Sequence, residues 1–166
     1  AGFPFGEIVV LSALAKGADT LCAEAAIETG CTLIAPLPLT AKEYRKDFDA
    51  NDLPVFERLL AAANDYFPIP SAKTDHQAVP RTYFYSQLGH YIISHCHLLL
   101  ALWDGDERDI QPGGTADVVR MALEGLSAKT LDKAPLSVIQ LVTPKEGAEL
   151  PQNLLTFNRI PEGRKI

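Results

Sequence analysis

Apolar residues in this chain fall into short β-branched runs separated by stretches with helical spacing. Residues 7–11 (EIVVL) read as a strand and 12–17 as a turn, and Ala18, Leu21, Cys22, Ala25 and Ala26 mark one face of a helix that Gly30 ends. Residues 32–36 read as the next strand. A strand, turn, helix and strand in this succession form a βαβ unit, whose right-handed crossover makes the two strands parallel. A second unit runs from 97–102 (HLLLAL), through a helix with Val118, Met121, Ala122 and Gly125 at helical spacing, to 136–142 (LSVIQLV). Further helices are predicted at 41–48, 53–63 and 83–94, the last carrying Leu88, Tyr91 and Ile92. Residues 65–80, with Pro68, Pro70 and Pro80 in a polar context, read as a loop, either a lid over a site or a disordered connection. A last apolar piece at 154–160 suits an edge strand, and no internal repeat is evident.

Composition narrows the setting. At 166 residues, 47% of them apolar, the chain can bury one good core and is expected to be a single domain. A formal net charge of -6 argues against nucleic acid as the main partner, because neutralising phosphates needs a basic face. No apolar run is long enough to span a bilayer, and the opening AGFPFGE lacks the regions of a signal peptide, so no membrane insertion is expected. Cys22, Cys31 and Cys96 lie in apolar segments without paired spacing, which suggests reduced core thiols in a cytoplasmic protein.

The candidate chemistry centres on residues 111–119 (QPGGTADVV), a double-glycine turn between a buried strand and a helix. Glycines let the backbone approach an anion, and the free amides of a first helical turn favour negative charge. The same glycines would also serve close packing alone. In an open parallel sheet, ligands bind at the carboxyl ends of the strands. Three loops sit there, at 12–19, 36–44 and 103–115, and are expected to converge on one anionic ligand.

Two blocks of the sequence resemble the SLOG superfamily. LSALAKGADTLCAEAAIETGCTLIAPLPLTAKEYRKDF is similar to its S-G-L-A-x-G-A-D…E-Y…D-F pattern, and HLLLALWDGDERDIQPGGTADVVRMALEG to its S-D-L-L-I-A-x-W-D-G…G-G-T-A-D-V-V block. That superfamily groups nucleotide-binding domains related to the Lonely Guy phosphoribohydrolases, the DNA-processing protein A and the amino-terminal domain of TRPM channels. The resemblance implies an α/β, Rossmann-like three-layer domain with a mainly parallel sheet. Its implied ligand is a nucleotide or nucleotide-derived small molecule, with no cofactor and with a homodimer as the expected assembly. Carried over by position, Ser12, Gly17, Ala18 and Asp19 match the first turn, and Gly113, Gly114, Thr115 and Ala116 match the phosphate turn. Asp104, in the block Trp103, Asp104, Gly105, is placed to bond a ribose hydroxyl or to cap its own loop. Pro38, Tyr44 and Arg45 belong to the loop expected to close around sugar and base, with the Tyr44 ring over the base and Arg45 near phosphate.

Two departures qualify the resemblance. In the Lonely Guy enzymes, a glutamate stands three residues after the threonine of PGGxGTxxE, and an arginine on the preceding helix completes the site. Here Val118 takes the glutamate's place, the preceding helix is expected to have no arginine, with Arg81 just before it, and Asp117 is the nearest carboxylate and the candidate catalytic residue. Relatives also begin with a strand and a G-x-T-G-H-R-type turn that this chain starts too late to contain. The sheet is therefore expected to lack its first strand, as part of a longer protein. The leading expectation is ligand binding or sensing through the GGT turn. The alternatives are N-glycosidic hydrolysis of a nucleotide and single-stranded DNA binding. His90, His95, Cys96 and His97 are metal-like by composition, but consecutive residues point different ways and no metal site is expected.

Overall fold

The computed structural model describes residues 6–71, 79–108, 110–125 and 136–143, together with the backbone of 157–160. The fold is α/β, of the Rossmann-like kind, and the chain divides into two compact units, Ala1–Ala72 and Lys73–Ile166. Each unit contains a parallel βαβ crossover.

In the first unit, β1 (Val9–Leu11), α1 (Ala18–Glu28) and β2 (Thr32–Leu37) form the first crossover. α2 (Ala41–Tyr44) then runs into a single 3-10 turn, Arg45–Asp47, followed by α3 (Leu53–Ala62) and β3 (Asp65–Pro68). The strands pair in the order β1-β2-β3, all parallel, with Val9 opposite Thr32 and Ile34 opposite Asp65. In β2, flanked on both edges, one face is completely buried through Leu33, Ala35 and Leu37, while on the other Pro36 is buried and Ile34 partly so. Behind Gly30 the chain leaves α1 through Thr29 N–H to the Ala25 carbonyl (3.0 Å) and Cys31 N–H to the Ala26 carbonyl (2.9 Å), which closes the last helical turn. α3 carries Pro54 in its first turn, where no intrahelical N–H is lost, and turns Phe56, Leu59 and Leu60 inward.

β3 corrects the expectation of a loop from residue 65. Asn64 explains the pairing: its N–H donates to the Leu33 carbonyl (2.8 Å), and its Oδ1 accepts the Leu33 N–H (2.9 Å). The side chain thus imitates a strand partner and sets the next four residues against β2. Pro68 is compatible with this, since β3 ends its ladder and a proline there forfeits no bond to a further strand. Residues 72–78 of the expected loop lie outside the described residues.

The second unit consists of α4 (Arg81–His95), β4 (Leu98–Trp103), α5 (Thr115–Glu124), β5 (Ser137–Val142) and β6 (Phe157–Ile160). β4 and β5 pair in parallel from Leu98 opposite Ser137 to Trp103 opposite Val142. β6 closes the ladder antiparallel to β5, at the place of the expected edge strand. The core gathers Ile93 of α4, Ala101 and Trp103 of β4, Val119, Ala122 and Leu123 of α5, and Leu136 and Val138 at β5. α4 and α5 approach closely at Gly89, where a Cβ would stand 2.9 Å from Val118 Cγ2 and 3.2 Å from Met121 Cε. α4 starts immediately after Pro80, two residues before the predicted helix, because a proline with extended ψ delivers the chain into a helix; Arg81 is thereby its first residue, against the expectation of a helix without arginine.

Phe56 anchors the first unit. It is 1% exposed, stacks on Phe48 at 4.4 Å between ring centroids and meets the edge of Tyr44 at 5.5 Å. Phe56→Ala is expected to lower the free energy of unfolding by about 3–5 kcal/mol in urea titration. A loss below about 1 kcal/mol would remove this cluster from the core.

Candidate functional site

The connection from β4 to α5 leaves the carboxyl end of a parallel strand. Its first part is held by its own carboxylates. Asp104 Oδ1 accepts the Asp106 N–H at 3.0 Å, and Asp106 accepts the Arg108 N–H (3.0 Å) and the Arg108 guanidinium (2.9 and 3.0 Å). From β5, Gln140 Nε2 donates to the Trp103 carbonyl (3.2 Å), tying the strand end to its neighbour. Asp104, Gly105, Asp106, Glu107 and Arg108 line an open depression of about 640 Å³.

The glycine turn follows. Gly114 N–H donates to the Gln111 carbonyl (2.9 Å), closing the turn. Gly113 has φ 77°, and a Cβ there would stand 2.5 Å from the Tyr85 carbonyl carbon and 2.6 Å from Ser86 N, both backbone atoms of α4. No side chain fits at that position. Gly114 differs: with φ -78° and ψ 167° it is extended backbone, and it is the N-cap of α5, with no side-chain cap and its carbonyl accepting the Val118 N–H (3.0 Å). The amides of Thr115, Ala116 and Asp117 therefore open α5 without a preceding helical acceptor. Thr115 is exposed, and Ala116 is partly so.

Asp117 is buried, at 6% exposure. Its Oδ2 accepts the Gly113 N–H (2.9 Å), and its Oδ1 takes a hydrogen bond from Arg120 Nη2 (2.6 Å), so both oxygens are engaged within the turn and first helical turns. The expected catalytic carboxylate is thus the one that fastens the glycine turn to its helix. Arg120, its partner, escaped the sequence reading. The signal was present as an i, i+3 Asp–Arg pair on one helix face.

The β1–α1 connection repeats this ground plan in the first unit. Ser12 is 4% exposed, donates its hydroxyl to the Asp19 carbonyl (3.1 Å) and accepts the Leu14 N–H (3.2 Å). This holds Leu14, completely buried, at φ 57°, a left-handed conformation that costs a side-chain-bearing residue about 1–2 kcal/mol. Gly17, at φ 94° and ψ -116°, is the N-cap of α1, again without a side-chain cap, and Ala18 starts the helix. The Asp19 carboxylate lies under the influence of the backbone amides of Ala15 and Ala13 in the preceding loop. Burial pushes its carboxyl above the ordinary value, and those two amides pull it partly back.

Other expected ligand contacts are committed elsewhere. The Tyr44 ring is buried against Phe48 and Phe56 at 5.0 and 5.5 Å, so it packs in the core and offers no face to a base. Arg45 makes a two-point pair with Glu57, through Nε to Oε1 and through Nη2 to Oε2 at 3.1 Å, which offsets the charge expected to meet phosphate. Pro38 is buried in the segment after β2. Asp104 caps its own loop, the second of the two roles open to it. The three cysteines are in no disulfide and are partly exposed, with Cys96 packed against the core of the second unit. His95 stacks on Tyr91 at 4.0 Å, and its Nδ1 lies 2.7 Å from the Tyr91 carbonyl oxygen. Among the described residues, no group of three or more His, Cys, Asp or Glu is placed to hold a metal, and no helix is long and apolar enough to cross a membrane.

Compared with models of protein families, with curated proteins and with solved structures, the chain matches none.

The two glycines should separate under substitution. Gly113→Ala is expected to cost more than 2 kcal/mol, a rough figure set by the clash with the α4 backbone and by the positive φ, whereas Gly114→Ala should cost about 1 kcal/mol or less in the same urea titration. Asp19 gives a pH signature. Because its folded carboxyl lies above the unfolded value, its contribution is fully present below the unfolded value and is lost as pH rises through the folded one. Relative to the wild type, Asp19→Asn should therefore gain unfolding midpoint as pH rises from about 3 to about 7; a difference independent of pH would contradict it.

Proposed function

We propose that this chain is a SLOG-type domain that binds a nucleotide or nucleotide-derived ligand, with the glycine turn before α5 receiving a phosphate. The observation that carries the reading is the uncapped amino terminus of α5, with its Thr115 and Ala116 amides and the Thr115 hydroxyl, at the carboxyl end of the parallel strand β4. Backbone amides aligned with the helix dipole suit an anion and leave the rest of the ligand to be recognised by other groups. Sequence support comes from the LAKGAD and LWDGD blocks beside GGTADVV. Binding without cleavage is favoured over hydrolysis because the glutamate of the enzyme motif is replaced by Val118 and both Asp117 oxygens are bonded inward. A general base must reach the proton it removes.

Thr115→Pro tests the site with little harm to the fold. Proline suits the first helical position, and Gly114 already has the extended ψ of 167° that a following proline demands. The substitution deletes one amide and one hydroxyl from the turn. In equilibrium dialysis against the four nucleoside 5′-monophosphates, with chromatography for released base, the wild type should bind at least one saturably without turnover. Thr115→Pro should weaken that binding by roughly tenfold at an unchanged melting temperature. Equal binding by the two proteins, or release of base, would overturn the reading.

A further inference from the structure

β4 is the outer strand of its sheet: among the described residues it pairs with β5 alone, in the order β4-β5-β6. Native edges are blunted by lysine, proline or a bulge, and β4, LLLALW in unbroken register with β5, carries none of these. One face of the strand is committed, with Ala101 and Trp103 buried and Leu99 packed against the same core. On the opposite face Leu98 and Leu100 are 48% and 47% exposed. Ile139, one strand inward and in register with Leu100, is half-buried, as are Leu102 and its neighbour Leu141. Exposure is concentrated on the outer strand, which marks a missing lateral neighbour rather than a missing layer.

We propose that the occupant of this edge is β4 of a second copy of the chain, paired antiparallel about a two-fold axis at Leu100. Directly opposed residues of an antiparallel pair share a face, and side chains alternate between faces along a strand. A two-fold axis perpendicular to the sheet therefore matches even positions with even and odd with odd. With Leu100 opposite itself, Leu98 meets Leu102 and Leu99 meets Ala101, so each of these apolar side chains finds an apolar partner. Charge selects the same arrangement. The strand is uncharged, the exposed His95 and His97 precede it, and Asp104, Asp106, Glu107 and Asp109 follow it against Arg108. Antiparallel pairing sets each acidic end beside the histidine end of the other copy. It also keeps the two acidic ends on the order of 25 Å apart, beyond the screening length, whereas parallel strands would lay them side by side. Such a two-fold contact is closed, and assembly ends at two copies.

Sedimentation equilibrium of the full chain across the micromolar range tests the seam. A short strand pairing lies at the small end of protein interfaces, so a reversible monomer–dimer equilibrium with a dissociation constant of roughly tens of micromolar is expected. Leu100→Lys sets two like charges at the axis from an exposed position, and it should weaken the dimer about tenfold or more at an unchanged melting temperature. His97→Asp puts a further carboxylate beside the acidic end of the other copy and should weaken pairing about threefold, whereas His97→Lys should tighten it, with both effects shrinking at high salt. A monomer at every concentration, a dimer indifferent to Leu100→Lys, equal pairing by the two His97 variants, or assemblies that grow beyond two copies would each overturn the inference.

Discussion

The β1–α1 and β4–α5 connections each place a carboxylate in the first turn of the helix beside the backbone amides of the loop that delivers the chain. Asp117 accepts the Gly113 N–H, and the amides of Ala15 and Ala13 lower the Asp19 carboxyl that burial raises. In each case a glycine without a side-chain cap supplies the N-cap. An ordinary capping residue would place its own oxygen over the first-turn amides. Here the acceptor comes from inside the helix, bonds the loop instead, and leaves the leading amides uncovered. The arrangement fixes the loop firmly and keeps the helix end open.

The loops so fixed are strained, and the strain is distributed. Leu14 is held left-handed by Ser12 and by its own burial, and Gly113 is pressed onto the α4 backbone so closely that no Cβ could enter. Close packing and ligand access were alternatives for the double glycine in the sequence. The structure shows the packing role at Gly113, while Gly114, in extended conformation, is the N-cap of α5.

The parallel crossovers were legible because they rest on signals that add up along a segment. Apolar runs such as TLIAPL and LLLALW, with Gly30 ending a helix between strands, specify β2, β4 and α1 within a residue or two. β3 was not legible. Its four residues carry no periodicity, and the decisive contact is Asn64 with Leu33, a pairing between residues far apart in sequence. The same limit applied at the site. Position and type identified the glycine turn, but whether Tyr44 faced a ligand or a core depended on Phe48 and Phe56, and whether Arg45 was free depended on Glu57. Local pattern placed the groups; tertiary partners decided which of them remained available.

That distinction bears most on Asp117. Read along the chain, a carboxylate two residues after a glycine-turn threonine is a candidate base. Seen with its partners, it has one oxygen on a backbone amide of the turn and the other on a guanidinium three residues later. Moving it to a substrate would cost both bonds and release Gly113 from the conformation that α4 demands. A carboxylate so placed acts on the turn itself, through its fixed position and its two bonds. Val118, the next residue along α5, packs against the core of the second unit and lies close to Gly89 of α4.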